Sequence, residues 1–338
     1  MRIVYFSVDR DEDKWLPGLR AALPGADVSL WEPGSVAADY AVVWKPPQQL
    51  LNEQTRLKAI FNTGAGVDAL MQLTLPEGVP VIRLDDAGMA VQMAEYVCHA
   101  LIRHFREFDA YEADTRAGKW SYRKPRTRAD FPVGIMGLGV LGQRVARSLV
   151  QFEFPVNGWS RSPKAHGGWV AERSAQVKEE PAKRAGDTEQ NALPPSLLEG
   201  VRCFHGTEGF KDFLAASRVL VCLLPLTPET RDIMNHDSLS RLQAGGFVIN
   251  VARGAHLVDE DLLALLDSGH LAGATLDVFR TEPLPPEHPF WTHPKVAVTP
   301  HTSARTLRSE SIAQIAGKMA ALQRGETVAG VVNRGQGY

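Results

Sequence analysis

A strand-like run, Val133-Gly134-Ile135-Met136, leads straight into Gly137-Leu138-Gly139-Val140-Leu141-Gly142, and a helical pattern follows over Val140–Phe152. Few features restrict a fold more. In a parallel α/β unit the first glycine of such a turn permits a tight reversal. The second lets the backbone approach a pyrophosphate, and the third lets the helix lie close on the strand. The helix N-terminus then offers unpaired N–H groups and a positive dipole end to a phosphate. Apolar Leu141, Val145, Leu149 and Phe152 recur at helical spacing, as a helix face packed on a sheet requires. A glycine turn without a ligand is the plain alternative; the strand and helix on either side weigh against it.

The rest of the chain repeats that alternation. Arg2–Ser7, Tyr40–Trp44, Leu57–Asn62 and Pro80–Leu84 read as the strands of one α/β unit. A second unit begins at Phe131, with strands at Val133–Met136, Val156–Trp159, Arg218–Leu224, Phe247–Val251, Ala274–Phe279 and Val296–Thr299. Between them Val91 to about Gly118 reads as one long connecting helix, with Met93, Val97, Leu101, Phe105 and Phe108 spaced by three or four. A length of 338 residues suits about two domains. The expectation is an α/β protein of two doubly wound parallel-sheet domains, Rossmann-like or flavodoxin-like, with a cleft between them. The first would be residues 1–100, completed by 302–338 through a final helix near Ser309–Arg324, and the second 101–301. One stretch breaks the pattern: Glu172–Pro195, the centre of a polar insertion at about 165–205. It is too poor in apolar residues to fold alone, though a short helix over Ala175–Arg184 is compatible with it. It reads as a solvated surface excursion or, more sharply, as a flap over the adenosine end of a nucleotide.

Composition narrows the class by exclusion. A net charge of −2, with 22% charged and 44% hydrophobic residues, gives no reason to expect nucleic acid or a membrane surface as partner. Met1-Arg2-Ile3-Val4-Tyr5-Phe6 opens a strand rather than a signal peptide, and no apolar run reaches the ~18 residues of a membrane span. Cys98, Cys203 and Cys222 show no paired spacing and read as reduced thiols in a cytoplasmic protein. His99 and His104 lie on the connecting helix without metal-ligand spacing, so they read as structural and no metal is expected.

Ligands of an open parallel sheet bind outside the carboxyl ends of its strands. Arg253, Glu282 and His301 each follow closely on an apolar run. A cation, a carboxylate and an imidazole converging there are the parts needed to protonate a carbonyl that stands beside a carboxylate. Taken singly, each has a plainer reading: a salt-bridged Arg, a surface Glu, a capped core His. The strand after the glycine turn ends Gly158-Trp159-Ser160-Arg161-Ser162-Pro163-Lys164. An NAD-selective fold has an acidic residue here for the ribose 2′-hydroxyl. Ser160, Arg161, Ser162 and Lys164 would instead attract a 2′-phosphate, which predicts NADPH over NADH; the plain alternative is exposed loop cations. In the first unit, Gly64, Ala65 and Gly66, within Thr63–Val67, can present backbone N–H groups to a carboxylate. Trp44, at a strand end, could wall a small pocket or simply pack in the core.

The ordered motifs Gly137–Gly142, Leu224-Pro225-Leu226-Thr227-Pro228-Glu229-Thr230, Asn250-Val251-Ala252-Arg253-Gly254, Leu276-Asp277-Val278-Phe279 through Glu282-Pro283, and Thr299-Pro300-His301 resemble the D-isomer-specific 2-hydroxyacid dehydrogenases over nearly the whole chain. Within that family Val43–Pro47, Gly64–Asp68, Gly88–Tyr96 and the tail Arg334–Tyr338 look most like the glyoxylate/hydroxypyruvate reductase A type. The polar insertion departs from the pattern. The resemblance implies that His301 protonates the ketone oxygen, that Glu282 hydrogen-bonds the other ring nitrogen and favours the protonated form, and that Arg253 grips the substrate carboxylate. It places Leu224, Pro225, Thr230, Val251, Ala252 and Asp277 along the cofactor, with a turn or capping role as the alternative for Asp277. It implies reduction of glyoxylate to glycolate and of hydroxypyruvate to D-glycerate, a small 2-ketoacid as partner, and a homodimer. Tyr111–Asp130, with Trp120 and Tyr122, is the candidate arm. Two rival functions are a reductase of a bulkier 2-ketoacid and a nucleotide-sensing binding protein on the same scaffold.

Overall fold

Parallel strands covered on both faces must be apolar throughout, and the short β-branched runs form such strands in two separate sheets. The computed structural model describes residues 1–163 and 199–337. Lys164 and the polar stretch Glu172–Pro195 lie outside them. The first sheet takes β1 (Arg2–Ser7), β2 (Asp27–Leu30), β3 (Tyr40–Trp44), β4 (Ala59–Asn62) and β5 (Val81–Ile82), all parallel, in the order β2-β1-β3-β4-β5. Its connections carry α1 (Glu12–Ala22), α2 (Gln48–Glu53) and α3 (Asp68–Met71). β2 lies in the polar span between the first two predicted strands. With only Val28 fully buried, it has little apolar signal for a sequence to display.

The predicted long connecting helix is two helices, α4 (Met89–Phe105) and α5 (Phe108–Arg116). Glu107 between them takes a left-handed backbone (φ 56°), which ends α4 while the apolar spacing runs on. α4 buries Met93, Val97, Leu101 and Phe105 in the core of the second sheet.

That second sheet is parallel too: β6 (Val133–Met136), α6 (Val140–Gln151), β7 (Val156–Ser160), β8 (Val201–His205), α7 (Gly206–Ala215), β9 (Val219–Cys222), α8 (His236–Leu239), β10 (Gly246–Asn250), α9 (Asp259–Asp267), β11 (Leu271–Leu276) and β12 (Val296–Val298). The strand order is β12-β11-β10-β9-β6-β7-β8. β8 corrects the expected insertion at 165–205: Val201–His205 pairs along β7 as a regular edge strand. Only Val201 in it is fully buried, and that polar edge-strand pattern hid it from the sequence. β6, β9 and β10 are buried at every position. α6 adds Val145 and Leu149, both fully buried, a contribution of about 1.5–3 kcal/mol each. The last helix, α10 (Arg308–Gln323), returns to the first sheet, where Ile312, Ile315 and Met319 join the core beside Trp15 and Leu19 of α1.

The order reverses between β6 and β9, so a crevice opens at their carboxyl ends. Gly137 stands there, and past the neighbouring ends come Leu223, Val251 and Asp277. Among the described residues no helix is long and apolar enough to cross a membrane.

Candidate active site

The glycine turn has the shape its spacing predicts. Gly137 takes φ 102°, and a Cβ on it would sit 2.8 Å from the Leu223 carbonyl oxygen. A Cβ on Gly142 would fall 1.9 Å from the Gly137 carbonyl oxygen, so only glycine lets α6 start this close to β6. Gly139 is different. It is exposed, and nothing lies within 4 Å of where its Cβ would be. The turn is therefore closed where it packs and open at the α6 N-terminus, the place a pyrophosphate needs. Val140 and Leu141 are half-buried at that N-terminus. The Leu138 side chain packs inward, against the Cα of Gly158, which leaves only its backbone to a ligand.

At the end of β7 Ser160 is buried, and its hydroxyl donates to the Ser162 carbonyl (2.8 Å). Arg161 and Ser162 are exposed. Leu224, Val251 and Ala252 are buried beside the crevice and Pro225 is exposed. The Thr230 hydroxyl donates to the Pro225 carbonyl (2.7 Å) and accepts from the Thr227 N–H (2.8 Å), which folds the loop after β9 onto itself.

Arg253 follows β10. The fully buried Asn250 turns the chain there, accepting from the Ala252 N–H (3.2 Å) and donating to the Arg253 carbonyl (3.0 Å). The guanidinium then crosses to the first domain. Its Nε and Nη2 donate to Asp68 Oδ1 at 3.1 and 2.9 Å, and Nη1 donates to the Ala252 carbonyl at 2.7 Å. Burial alone would push the Asp68 carboxyl up, but the Arg253 charge and hydrogen bonds, with Lys45 farther off, hold it below the usual carboxylate range.

The guanidinium lies against Gly66, where a Cβ would fall 1.8 Å from Nη2. Gly66→Ala should therefore displace the fork and cost about 10²-fold in kcat/KM for substrate. Steady-state kinetics with an unchanged cofactor KM would check that. The Asn62 amide holds this loop by donating to the carbonyls of Gly64 (2.8 Å) and Gly66 (3.0 Å). The N–H groups of Gly64, Ala65 and Gly66 meet no acceptor among the described residues. Trp44 packs on Gly64. Lys45 takes φ 47°, its ammonium lies 5.6 Å from the Trp44 ring centroid, and no carboxylate among the described residues pairs with it.

His301 also has a left-handed backbone, φ 51°. A bulky residue rarely adopts it, and two hydrogen bonds hold it there: the His301 N–H donates to the Asp277 carbonyl (2.8 Å) and to the Thr299 carbonyl (3.1 Å). His301 Nδ1 meets Glu282 Oε2 at 2.8 Å, and the other Glu282 oxygen accepts from the Phe279 N–H (3.0 Å). Of the two roles open to Asp277, the structure displays the turn-holding one. Its fully buried carboxylate accepts from Thr299 Oγ1 (2.6 Å), Thr302 N–H (2.8 Å) and Ser303 N–H (2.8 Å). Because the Thr299 proton goes to Asp277, the Tyr96 hydroxyl on α4 is the donor in its 2.5 Å contact with Thr299. Burial, with the Asp277 charge adding to it, pushes that phenol up to about 12.

The structure thus gathers Arg253 with Gly64–Gly66 and Trp44, and separately pairs His301 with Glu282. Sequence reasoning missed the partners: Asp68, Asn62, Asn250, Tyr96 and Thr299. Asp68 is 185 residues from Arg253 in the chain, and no spacing rule reaches that far.

The sequence profile described as "D-isomer specific 2-hydroxyacid dehydrogenase, NAD binding domain" matches residues 98–183 and 201–303. The chain is 43% identical to a glyoxylate/hydroxypyruvate reductase A of Serratia proteamaculans and 39% identical to one of Yersinia enterocolitica, each covering all of both chains. Among solved structures it resembles a D-isomer specific 2-hydroxyacid dehydrogenase of Xanthobacter autotrophicus in complex with NADPH and MES (TM-score 0.85, 39% identity, 100% and 99% of the two chains covered). It also resembles an NADPH-dependent glyoxylate/hydroxypyruvate reductase of Sinorhizobium meliloti with NADP and sulfate (TM-score 0.83, 34% identity, 100% and 99% covered). With its glycine turn at the switch point and relatives this similar over their whole length, the chain belongs to the D-isomer specific 2-hydroxyacid dehydrogenases, a family of NAD(P)-dependent oxidoreductases.

Proposed function

We propose that this protein is an NADPH-preferring 2-ketoacid reductase that converts glyoxylate to glycolate and hydroxypyruvate to D-glycerate. It would work in the cleft between residues 1–100 with 302–338 and a cofactor unit of residues 101–301. The observation that carries this reading is the state of the Arg253 guanidinium. Of five N–H donors, three are engaged by Asp68 and Ala252. One N–H remains on each terminal nitrogen, available to a carboxylate. Beside it stand the unpaired N–H groups of Gly64–Gly66 and the Lys45 ammonium, so an anion would meet donors from both domains.

The Gly137–Gly142 turn and the loop at Pro225 would hold a reduced nicotinamide dinucleotide, which would supply the hydride for the carbonyl carbon. Arg253 and the glycine loop hold the substrate carboxylate and polarise the carbonyl beside it. His301 gives the carbonyl oxygen its proton from Nε2, the ring atom left over by the Nδ1 contact with Glu282. Glu282 keeps that ring in one orientation. Closure of the cleft excludes water from the transfer.

The preference for NADPH rests on the end of β7. β7 ends in Ser160 rather than in a carboxylate, and the exposed Arg161, near enough to Glu229 to add to the Thr227 hydrogen bond in lowering its carboxyl, can meet a 2′-phosphate. The relatives crystallised with NADPH or NADP support the same choice. Arg161→Asp should lower kcat/KM for NADPH by about 10- to 10²-fold, the worth of one charged hydrogen bond, and spare NADH. Initial rates with the two cofactors would measure it.

We take the working form to be a cytoplasmic homodimer. Trp120 (102% exposed) and Tyr122 (80%) stand out from the Tyr111–Asp130 arm, which would cross to a partner.

The test is NADPH and NADH oxidation with glyoxylate, hydroxypyruvate, pyruvate and phenylpyruvate. Turnover of the first two, faster with NADPH, is expected. Faster turnover of phenylpyruvate would favour a bulkier natural substrate, and none with any 2-ketoacid would leave a binding protein.

A further inference from the structure

His256 lies outside every role assigned so far, yet it is fully buried between two parts of the site. It closes the short turn Gly254–His256 after Arg253. Its Nδ1 is 3.1 Å from the Arg253 carbonyl oxygen, and its Nε2 is 3.2 Å from the Pro225 carbonyl oxygen. One rigid ring therefore spans the loop that carries the carboxylate-gripping Arg253 and the loop after β9. Each carbonyl has other donors: Asn250 Nδ2 (3.0 Å) and the His256 backbone N–H (3.2 Å) for Arg253, and Thr230 Oγ1 (2.7 Å) for Pro225.

Burial pushes the imidazole pKa below its ordinary range, against the pull of the two carbonyls and with the nearby Arg253 charge assisting. A neutral ring has one N–H, so it serves one carbonyl at a time, and the other keeps a donor besides the ring. The adjoining turn is equally close-packed. A Cβ on Gly254 would lie 1.8 Å from the Phe279 carbonyl carbon, and Phe279 in turn holds Glu282 through its N–H (3.0 Å). Arg253 thus has little freedom to shift without moving its neighbours.

We infer that His256 is a positioning residue that sets the spacing between the substrate-gripping Arg253 and the cofactor-lining loop at Pro225. The inference rests on the proposed function for what the two loops hold. It distinguishes His256 from an ordinary core residue by which ligand each ring nitrogen affects. An asparagine amide reaches roughly the position of Nδ1, and a glutamine amide that of Nε2.

The experiment measures dissociation constants of wild type, His256→Asn, His256→Gln and His256→Leu for NADPH, and for oxalate in the presence of saturating NADPH. Melting temperature and wild-type reductase turnover are followed alongside. His256→Asn should keep oxalate affinity and weaken NADPH by about 2- to 3-fold, the low end of the worth of one hydrogen bond, because the single ring proton is divided between the two carbonyls. His256→Gln should do the reverse, and His256→Leu should weaken both. A joint shift of both ligands in the Asn and Gln variants, a reversed split, or a fall in melting temperature with both affinities unchanged would overturn the inference. Because binding is read directly, a wild type that binds both ligands but reduces no 2-ketoacid would count against the proposed function and leave this test intact. Should the Leu variant fail to fold, the Asn and Gln pair alone decides.

Discussion

His301→Asn is expected to lower kcat by about 10²- to 10⁴-fold, the range for loss of a general acid, with NADPH affinity unchanged. Asparagine is the informative replacement. His301 sits at φ 51°, a left-handed conformation that Asn tolerates better than most residues, so the turn made by Asp277, Thr302 and Ser303 should survive. The amide can still face Glu282, yet its N–H is far too weak an acid to protonate a ketone. A kcat near that of wild type would remove His301 from the chemistry. Stopped-flow measurement of a single turnover separates the chemical step from product release.

Arg253→Ala is the second large effect. Each of the two unengaged N–H groups of the fork, if it makes a charged hydrogen bond to substrate, contributes about 1.5–3 kcal/mol. Losing both corresponds to about 10²- to 10⁴-fold in kcat/KM. Arg253→Lys should recover little of it, since an ammonium keeps the charge and loses the planar pair of donors.

The same variant carries a pH signature. Asp68 has its folded pKa held low chiefly through Arg253, against burial. The pair therefore stabilises the fold above the ordinary carboxylate range, and that contribution is lost as pH falls through the folded pKa. The melting-temperature gap between wild type and Arg253→Ala should narrow on acidification. A gap that widens would contradict the Asp68 assignment.

What the sequence made legible follows from how local each feature is. The glycine turn, β6 and α6 are encoded within about twenty residues, and their spacing alone predicts the closed and open positions that Gly142 and Gly139 occupy. β6, β9 and β10 announce themselves because both faces are covered. β2 and β8 did not, because edge strands can be polar without penalty. The break at Glu107 was hidden for a related reason: apolar spacing continues through Phe108, and only the left-handed φ ends the helix. In the site, Arg253, Glu282 and His301 could be picked out by their place after apolar runs. Their partners could not. Asp68 reaches Arg253 across the cleft, Tyr96 reaches Thr299 from a different helix, and His256 joins two loops. Each of these depends on three-dimensional closure.

The account stands or falls on the product. Hydroxypyruvate incubated with the protein and NADPH should yield D-glycerate, one equivalent for each NADPH oxidised, as chiral chromatography would read it. L-glycerate, or NADPH oxidation without glycerate, would contradict the roles proposed for Arg253 and His301.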